Sequence, residues 1–262
     1  MLTRERIAQA RADFDRLTEG IPLTGRTFLD IGFGQGLSLL IAQEHGAAVV
    51  GCDLNEKCAE VLTVTRRRFC TSGTELPEPP VVTGSILDAA TVDTLKGYGS
   101  PEGTFDIVHS WGVLHHTGAM QQAIANAASL VNDGGYLITA LYNRHWSSPV
   151  WKLIKRWYCL LPVFARTALV WLLYPVILIA KAIVTRKNPF VMDRGMDFFH
   201  NVVDWVGGYP YEYISVDEFR AIMESYRFDC IRVVTARVPT GCNEFVFRRK
   251  PAVTSGAREK PS

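Results

Sequence analysis

The chain has 262 residues, 48% hydrophobic and 21% charged, with 28 basic against 26 acidic side chains. That length suits one large α/β domain or a domain carrying an insertion, and so apolar a chain with so little net charge is not disordered as a whole. The formal charge of +2 hides a division. Positions 134–192 hold no Asp or Glu but eight bases (Arg144, Lys152, Lys155, Arg156, Arg166, Lys181, Arg186 and Lys187), which leaves the rest of the chain at −6.

Met1-Leu2-Thr3-Arg4-Glu5-Arg6 is too charged to begin a secretion signal, and Ile7, Phe14 and Leu17 fall at helical spacing, so 4–18 reads as an amphipathic opening helix. Short apolar runs then alternate with helical patterns, the signature of βαβ units and a parallel sheet. Strands are expected at 26–31, 47–52, 81–83, 105–110 and 136–141, and helices at 37–45, 56–68 and 120–131. Asn132-Asp133-Gly134-Gly135 has turn chemistry. Residues 143–212 break the rhythm, rich in Trp, Tyr and bases at helical spacing, and read as an insertion or lid after the fifth strand. A helix at 216–226 and strands at 230–238 and 244–248 follow, and the short Pro239-Thr240-Gly241 link favours an antiparallel hairpin. The expected organisation is a core over 1–142, the insertion over 143–212, a completing helix and hairpin over 213–250, and a disordered tail over 251–262.

The six cysteines (52, 58, 70, 159, 230 and 242) form no C-x-x-C pair and have no His at zinc-finger spacing, so they read as reduced thiols, and no metal is expected. The longest uncharged run of the insertion, between Arg166 and Lys181, has fourteen residues and includes Pro175. Roughly 20 are needed to span a bilayer, so the expectation is a cytoplasmic protein, with peripheral contact at the inner membrane face left open.

The most informative segment is Phe28-Leu29-Asp30-Ile31-Gly32-Phe33-Gly34-Gln35-Gly36. A buried strand ends in a glycine-rich turn and a helix begins, so a ligand can approach backbone that has no Cβ in the way. Asp53 closes the second strand, where an acid accepts hydrogen bonds from ribose hydroxyls. The dinucleotide pattern G-x-G-x-x-G would need glycine at position 37, which is Leu.

G-x-G-x-G after an acidic strand residue resembles motif I of class I S-adenosylmethionine-dependent methyltransferases. Gly51-Cys52-Asp53-Leu54, Gly84-Ser85-Ile86-Leu87-Asp88, Phe105 through His116, and Leu130 through Leu137 follow in the order of that family's later motifs. The fourth-strand segment is similar to bacterial small-molecule enzymes of the quinone-biosynthesis kind. The resemblance covers residues 25–142 and implies a Rossmann-like α/β fold, a seven-stranded, mostly parallel sheet with an antiparallel terminal strand. It implies S-adenosylmethionine as cofactor and methyl transfer to an O, N or C nucleophile. By the same resemblance, Gly32, Gly34 and Gly36 cradle the methionine part, Asp30 orders the loop or touches the cofactor, and Asp53 holds the ribose, while Leu54, Ser85 and Ile86 frame the adenine and Ser110 with Trp111 closes the floor. Ser85 stands where many relatives carry an acid, and Asp133 where they carry Pro.

His115 or His116 is the candidate base, since a histidine can take the acceptor's proton near neutral pH. The charged and aromatic residues Arg194, His200, Asp204, Trp205, Tyr209, Tyr211 and Glu212, set around Gly207-Gly208 and Pro210, are candidates for acceptor contact. Asn243-Glu244 is a weaker candidate. In 151–161, Lys152, Lys155 and Arg156 share one helical face, with Trp151, Ile154, Trp157, Tyr158 and Leu161 mostly on the other. Residues 149–184 can therefore be a lid over a small-molecule or lipid-like acceptor, a homo-oligomer face or a peripheral membrane contact. Their Leu, Val and Ile content argues against nucleic acid. Two rival functions are an NAD-dependent oxidoreductase, disfavoured by Leu37 and the lack of a Tyr-x-x-x-Lys pair, and a non-catalytic subunit keeping the cofactor fold.

Overall fold

Alternate residues of β1 (Thr27–Ile31) enter opposite halves of the core, Phe28 on one face of the sheet and Leu29 with Ile31 on the other. Four of its five residues are buried because helices cover both faces, which is the pattern of a central parallel strand. The computed structural model describes residues 2–70, 75–185, 202–203 and 206–252.

Around β1 the chain lays down β2 (Ala48–Asp53), β3 (Val81–Thr83), β4 (Phe105–Trp111), β5 (Val131–Tyr142), β6 (Phe228–Val234) and β7 (Cys242–Arg249). They form one seven-stranded sheet in the order β3-β2-β1-β4-β5-β7-β6. β1 to β5 run parallel, and β7 pairs antiparallel with both β5 and β6. This is the expected Rossmann-like sheet with its antiparallel strand. Strand order reverses between β1 and β4, and the carboxyl ends there open a crevice where such sheets bind ligands.

Helices α1 (Arg4–Thr18), α2 (Leu37–Glu44), α3 (Cys58–Phe69) and α5 (Met120–Ser129) lie close to their expected places. α4 (Ala89–Lys96), between β3 and β4, was not anticipated; its two turns bury only Thr91, Val92 and Leu95, too short a period to stand out. α8 (Val216–Ser225) starts at a reciprocal cap in which Ser215 and Glu218 satisfy each other's backbone N–H groups.

The expected turn at 132–135 lies within β5. Phe105 pairs with Val131 and Ile107 with Tyr136, so four residues stand opposite Asp106 alone. Gly134 has a φ of 75°, and a Cβ on Gly135 would meet the Asp106 carbonyl at 2.7 Å. The bulge brings Asn132 Nδ2 onto the Asp106 carboxylate. At the C-terminus, Arg227 donates to the Pro251 carbonyl and Ala252 N–H to Asp133, so those two residues are tied to the domain. The remainder of the expected disordered tail, 253–262, lies outside the described residues.

After β5 come α6 (Ser148–Leu160) and α7 (Val163–Thr185). Val170, Val202 and Val206 form a small core of their own with Ile154 and Tyr158. The sequence reading turned α6 the wrong way for one basic residue: Lys155 is fully buried, whereas Trp157 is 57% exposed. Trp151, Ile154, Lys155 and Tyr158 form the covered stripe, an i, i+3, i+4, i+7 set that faces the strand ends. No helix among the described residues is long and apolar enough to cross a membrane.

Candidate functional site

The glycine turn is built from three glycines with positive φ, each serving differently. Gly32 donates to the Cys52 carbonyl at 2.7 Å, and a Cβ there would lie 2.3 Å from Val113. A Cβ on Gly36, the left-handed cap of α2, would lie 2.3 Å from Leu62. These two are required by packing. Gly34 has a φ of 56° and open space where its Cβ would be. Its N–H donates to Asp53 Oδ2 at 3.0 Å, while Asn55 N–H donates to Oδ1 at 2.9 Å. The acid is thus aimed across the mouth of the turn, with Leu54, 72% exposed, beside it. An open glycine facing a fixed carboxylate and an uncovered apolar side chain is a cradle suited to a nucleoside.

The rest of the expected cofactor set divides. Ser85 Oγ accepts from Leu87 N–H at 3.2 Å, and Ile86 packs into the core while its carbonyl takes Asn126 Nδ2 at 2.8 Å. Ser110 is fully buried, and its hydroxyl donates to the Ile31 carbonyl, so it ties β4 to β1. Trp111 Nε1 donates to Glu244 at 3.1 Å, and Glu244 also takes Arg16 of α1 at 2.8 Å. Asn243, by contrast, is a buried clamp, donating to Asn143 and accepting from Ala236 N–H.

Asp30 lies against His109, with Nδ1 and Oδ1 2.7 Å apart and both side chains almost fully buried. His109 went unremarked in the sequence reading. The available signal was the strand alternation, which puts it on the same face as Trp111, but only the register of β1 on β4 sets it opposite Asp30. Both line a cavity of about 190 Å³ beneath α1, together with Gly32, Phe33, Trp111 and Arg6.

A second cluster caps the ends of β4 and β5. His115 and His116 sit in a 3₁₀ turn, Leu114–His116, their rings 4.4 Å apart. His115 is 1% exposed, its ring lies 4.1 Å from that of Tyr142, and among the described residues its Nδ1 has no hydrogen-bond partner. Burial, then the charges of His116 and Lys155, push its pKa well below the ordinary histidine value. His116 is half-buried and donates from Nδ1 to the Pro210 carbonyl at 2.7 Å, which assigns the proton to Nδ1 and the lone pair to Nε2. Its pKa is also lowered, chiefly by burial.

Tyr211 is fully buried against Tyr142, ring centroids 4.9 Å apart. Lys155 Nζ lies 4.9 Å from the Tyr211 ring centroid and 5.9 Å from that of Tyr142. Burial pulls the Lys155 ammonium down to about 8 and pushes the Tyr211 hydroxyl up to about 12. The insertion therefore delivers a cation with a lowered pKa onto the two histidines and two tyrosines. Sequence reasoning did not find Lys155, since helical spacing alone groups it with Lys152 and Arg156.

Of the expected acceptor contacts, Tyr211 belongs to this cluster and Tyr209, two residues before it, stands 38% exposed. Glu212 accepts from Met120 N–H at 3.0 Å and donates its own N–H to the His115 carbonyl, so it caps α5 and fixes the histidine turn. Arg194, His200, Asp204 and Trp205 lie outside the described residues.

This fold and site define a class. The methyltransferase-domain family matches residues 2–173, and the chain belongs to it. Among curated proteins, the chain is 28% identical over 132 residues to the ubiquinone biosynthesis O-methyltransferase of Vibrio parahaemolyticus, covering 50% of each. It is 30% identical over 123 residues to the Rhizobium johnstonii enzyme of the same name, covering 47% of this chain and 44% of that one. The chain thus spans about half the length of the curated relatives it matches. Among solved structures, magnesium protoporphyrin IX methyltransferase from Synechocystis PCC 6803 with bound SAH aligns at a TM-score of 0.56 and 16% identity, covering 93% of this chain and 83% of that one. An O-methyltransferase family protein from Burkholderia thailandensis aligns at 0.56 and 13% identity, covering 94% and 57%.

Proposed function

We propose that the chain binds S-adenosylmethionine and transfers its methyl group to an oxygen or nitrogen nucleophile of a small or lipid-like acceptor. One observation carries this reading: the Gly34–Asp53 cradle opens at the same carboxyl edge of the sheet as the His116 turn. Asp53 would hold the ribose hydroxyls, Leu54 would cover the adenine, and Gly34 would let the methionine part approach the backbone. When bound, the cofactor supplies an activated methyl group on a sulfonium.

The remaining work falls to the chain's own residues. The acceptor's lone pair must be aligned and water kept out, for which the Tyr142 ring, backed by the buried Tyr211, is suited. His116 takes the acceptor's proton at Nε2, because Nδ1 is committed to Pro210. Lys155, buried against the Tyr142 and Tyr211 rings, adds positive potential beside His116.

Calorimetry with S-adenosylhomocysteine and with NADH tests the cofactor assignment. Heat from the former alone is expected; tight NADH binding with none from S-adenosylmethionine or its product would overturn it. Incubating cell extract with methyl-labelled cofactor and tracing the label by mass spectrometry identifies the acceptor.

A further inference from the structure

The inward side of the α6–α7 hairpin is accounted for by the small valine core and by Lys155, but the outward side is not. At the tip, Leu160, Val163 and Phe164 are 70–78% exposed, and Trp157, one turn back, is 57% exposed. From Phe164 the apolar surface continues along α7 through Trp171, Leu172, Val176 and Ile179, each more than half exposed. At helical rise that stripe is about 22 Å long, and it contains no charge beyond Arg166. Scattered exposed apolar residues need no explanation, but a continuous stripe ending in an apolar tip does.

Charge selects the occupant. Lys152 and Arg156 are exposed on α6, next in sequence to Leu153 and Trp157 of its outward side. Arg166 closes the turn by donating to the Leu161 and Cys159 carbonyls. No acid lies anywhere in 134–192 to answer these bases. A symmetric self-association through this face would bring the same bases together from both copies. An anionic lipid surface meets both features, taking the apolar tip below its headgroups and pairing phosphates with the bases.

We propose that the α6–α7 hairpin is a peripheral docking surface for an anionic bilayer, with Val163 and Phe164 at its tip entering the headgroup region and Lys152 and Arg156 held at the phosphates. The helix whose inner face carries Lys155 to the site is then the helix whose outer face rests on lipid. Docking is read without turnover and does not depend on the methyl-transfer assignment.

Flotation tests it with vesicles of phosphatidylcholine alone and of phosphatidylcholine with 30% phosphatidylglycerol, at low and high salt. The chain is expected to float with the anionic vesicles, at least tenfold less with neutral ones, and progressively less as salt is added. A Val163→Glu/Phe164→Glu variant should lose flotation at all salt concentrations, and Lys152→Gln/Arg156→Gln should lower it about tenfold. Unchanged S-adenosylhomocysteine binding by these variants shows that they are folded; if wild type and variants alike fail to bind it, the cofactor assignment fails while the flotation result stands. No binding of wild type to anionic vesicles, or flotation indifferent to the tip substitutions, overturns the proposal. A wild-type dimer that Val163→Glu/Phe164→Glu dissociates, without vesicle binding, assigns the face to a second copy instead.

Discussion

In the proposed reading His116 is the base, and two features of its surroundings suit it to that role. The Pro210 carbonyl fixes the proton on Nδ1, and burial lowers the pKa, so the neutral form persists below the ordinary histidine value of about 6.5. His116→Gln should lower kcat by about 10²- to 10⁴-fold with cofactor affinity unchanged. In wild type the acid limb of the kcat–pH profile should lie below pH 6.5, the ordinary histidine value, since a base with a lowered pKa stays active further into acid. A limb above that value, or full activity in the variant, would remove His116 from the proton path. Asp53 carries the second prediction at this scale. Losing a carboxylate that receives ribose hydroxyls costs roughly 1.5–3 kcal/mol, so Asp53→Ala should weaken S-adenosylhomocysteine at least about tenfold by calorimetry. Unchanged affinity would end its ribose role. Both residues were legible in the sequence because motif and position sufficed. What distinguishes His116 from His115 was not, since it is a hydrogen bond to a carbonyl 94 residues away.

α6 shows why an amphipathic pattern underdetermines a helix's orientation. Its bases lie at 152, 155 and 156, and spacing alone cannot say that the middle one points inward. Tyr142 and Tyr211, brought together by the end of β5 and the return of the chain, supply the ring faces that receive Lys155. Burial lowers its pKa from 10.5 to about 8. The unfolded chain therefore binds the proton more tightly, and stability falls as pH drops from about 10.5 toward 8, then stays lower. Lys155→Met, similar in volume and without the charge, should raise Tm at pH 7 by a few degrees, at about 2–4 °C per kcal/mol for a chain of this size. Acceptor turnover should fall in the same variant. A Tm several degrees lower in scanning fluorimetry would mean that Lys155 stabilises the fold on balance. α1 teaches a related lesson: its buried stripe was readable from Ile7, Phe14 and Leu17, but its place as the roof over Asp30 and His109 was not.

The whole molecule is expected to lose stability on acidification in two stages. His115 and His116 both have lowered pKa values in the fold, so the unfolded chain takes up their protons first, and stability declines as pH falls below about 6.5. Burial pushes Asp106 up, but hydrogen bonds from Thr27 and Asn132 and the charge of Arg26 outweigh it and hold the carboxyl below its usual value. That contribution is present above pH 4 or so and is lost as pH falls through the lowered folded value. Tm followed from pH 8 to pH 3 should show both declines, and a flat profile between pH 7 and pH 5 would contradict the histidine part. The charge division also gains a location: residues 148–185 of the acid-free segment form the α6–α7 hairpin, with Lys155 inside the fold and Lys152 and Arg156 outside.

By itself the sequence determined the order of elements, the mostly parallel sheet, the glycine turn and Asp53, because each follows from short-range rules: side-chain period, φ-permissive glycines and motif spacing. It also set the bulge at 132–135 through its turn residues, though not its position within a strand. Only the tertiary structure decided what converges on the strand ends. Asp30 with His109, and Lys155 with Tyr142, Tyr211 and the histidine pair, are joined by strand register and by the direction in which an inserted helix turns. Those depend on packing between segments far apart in the chain, which no local pattern records.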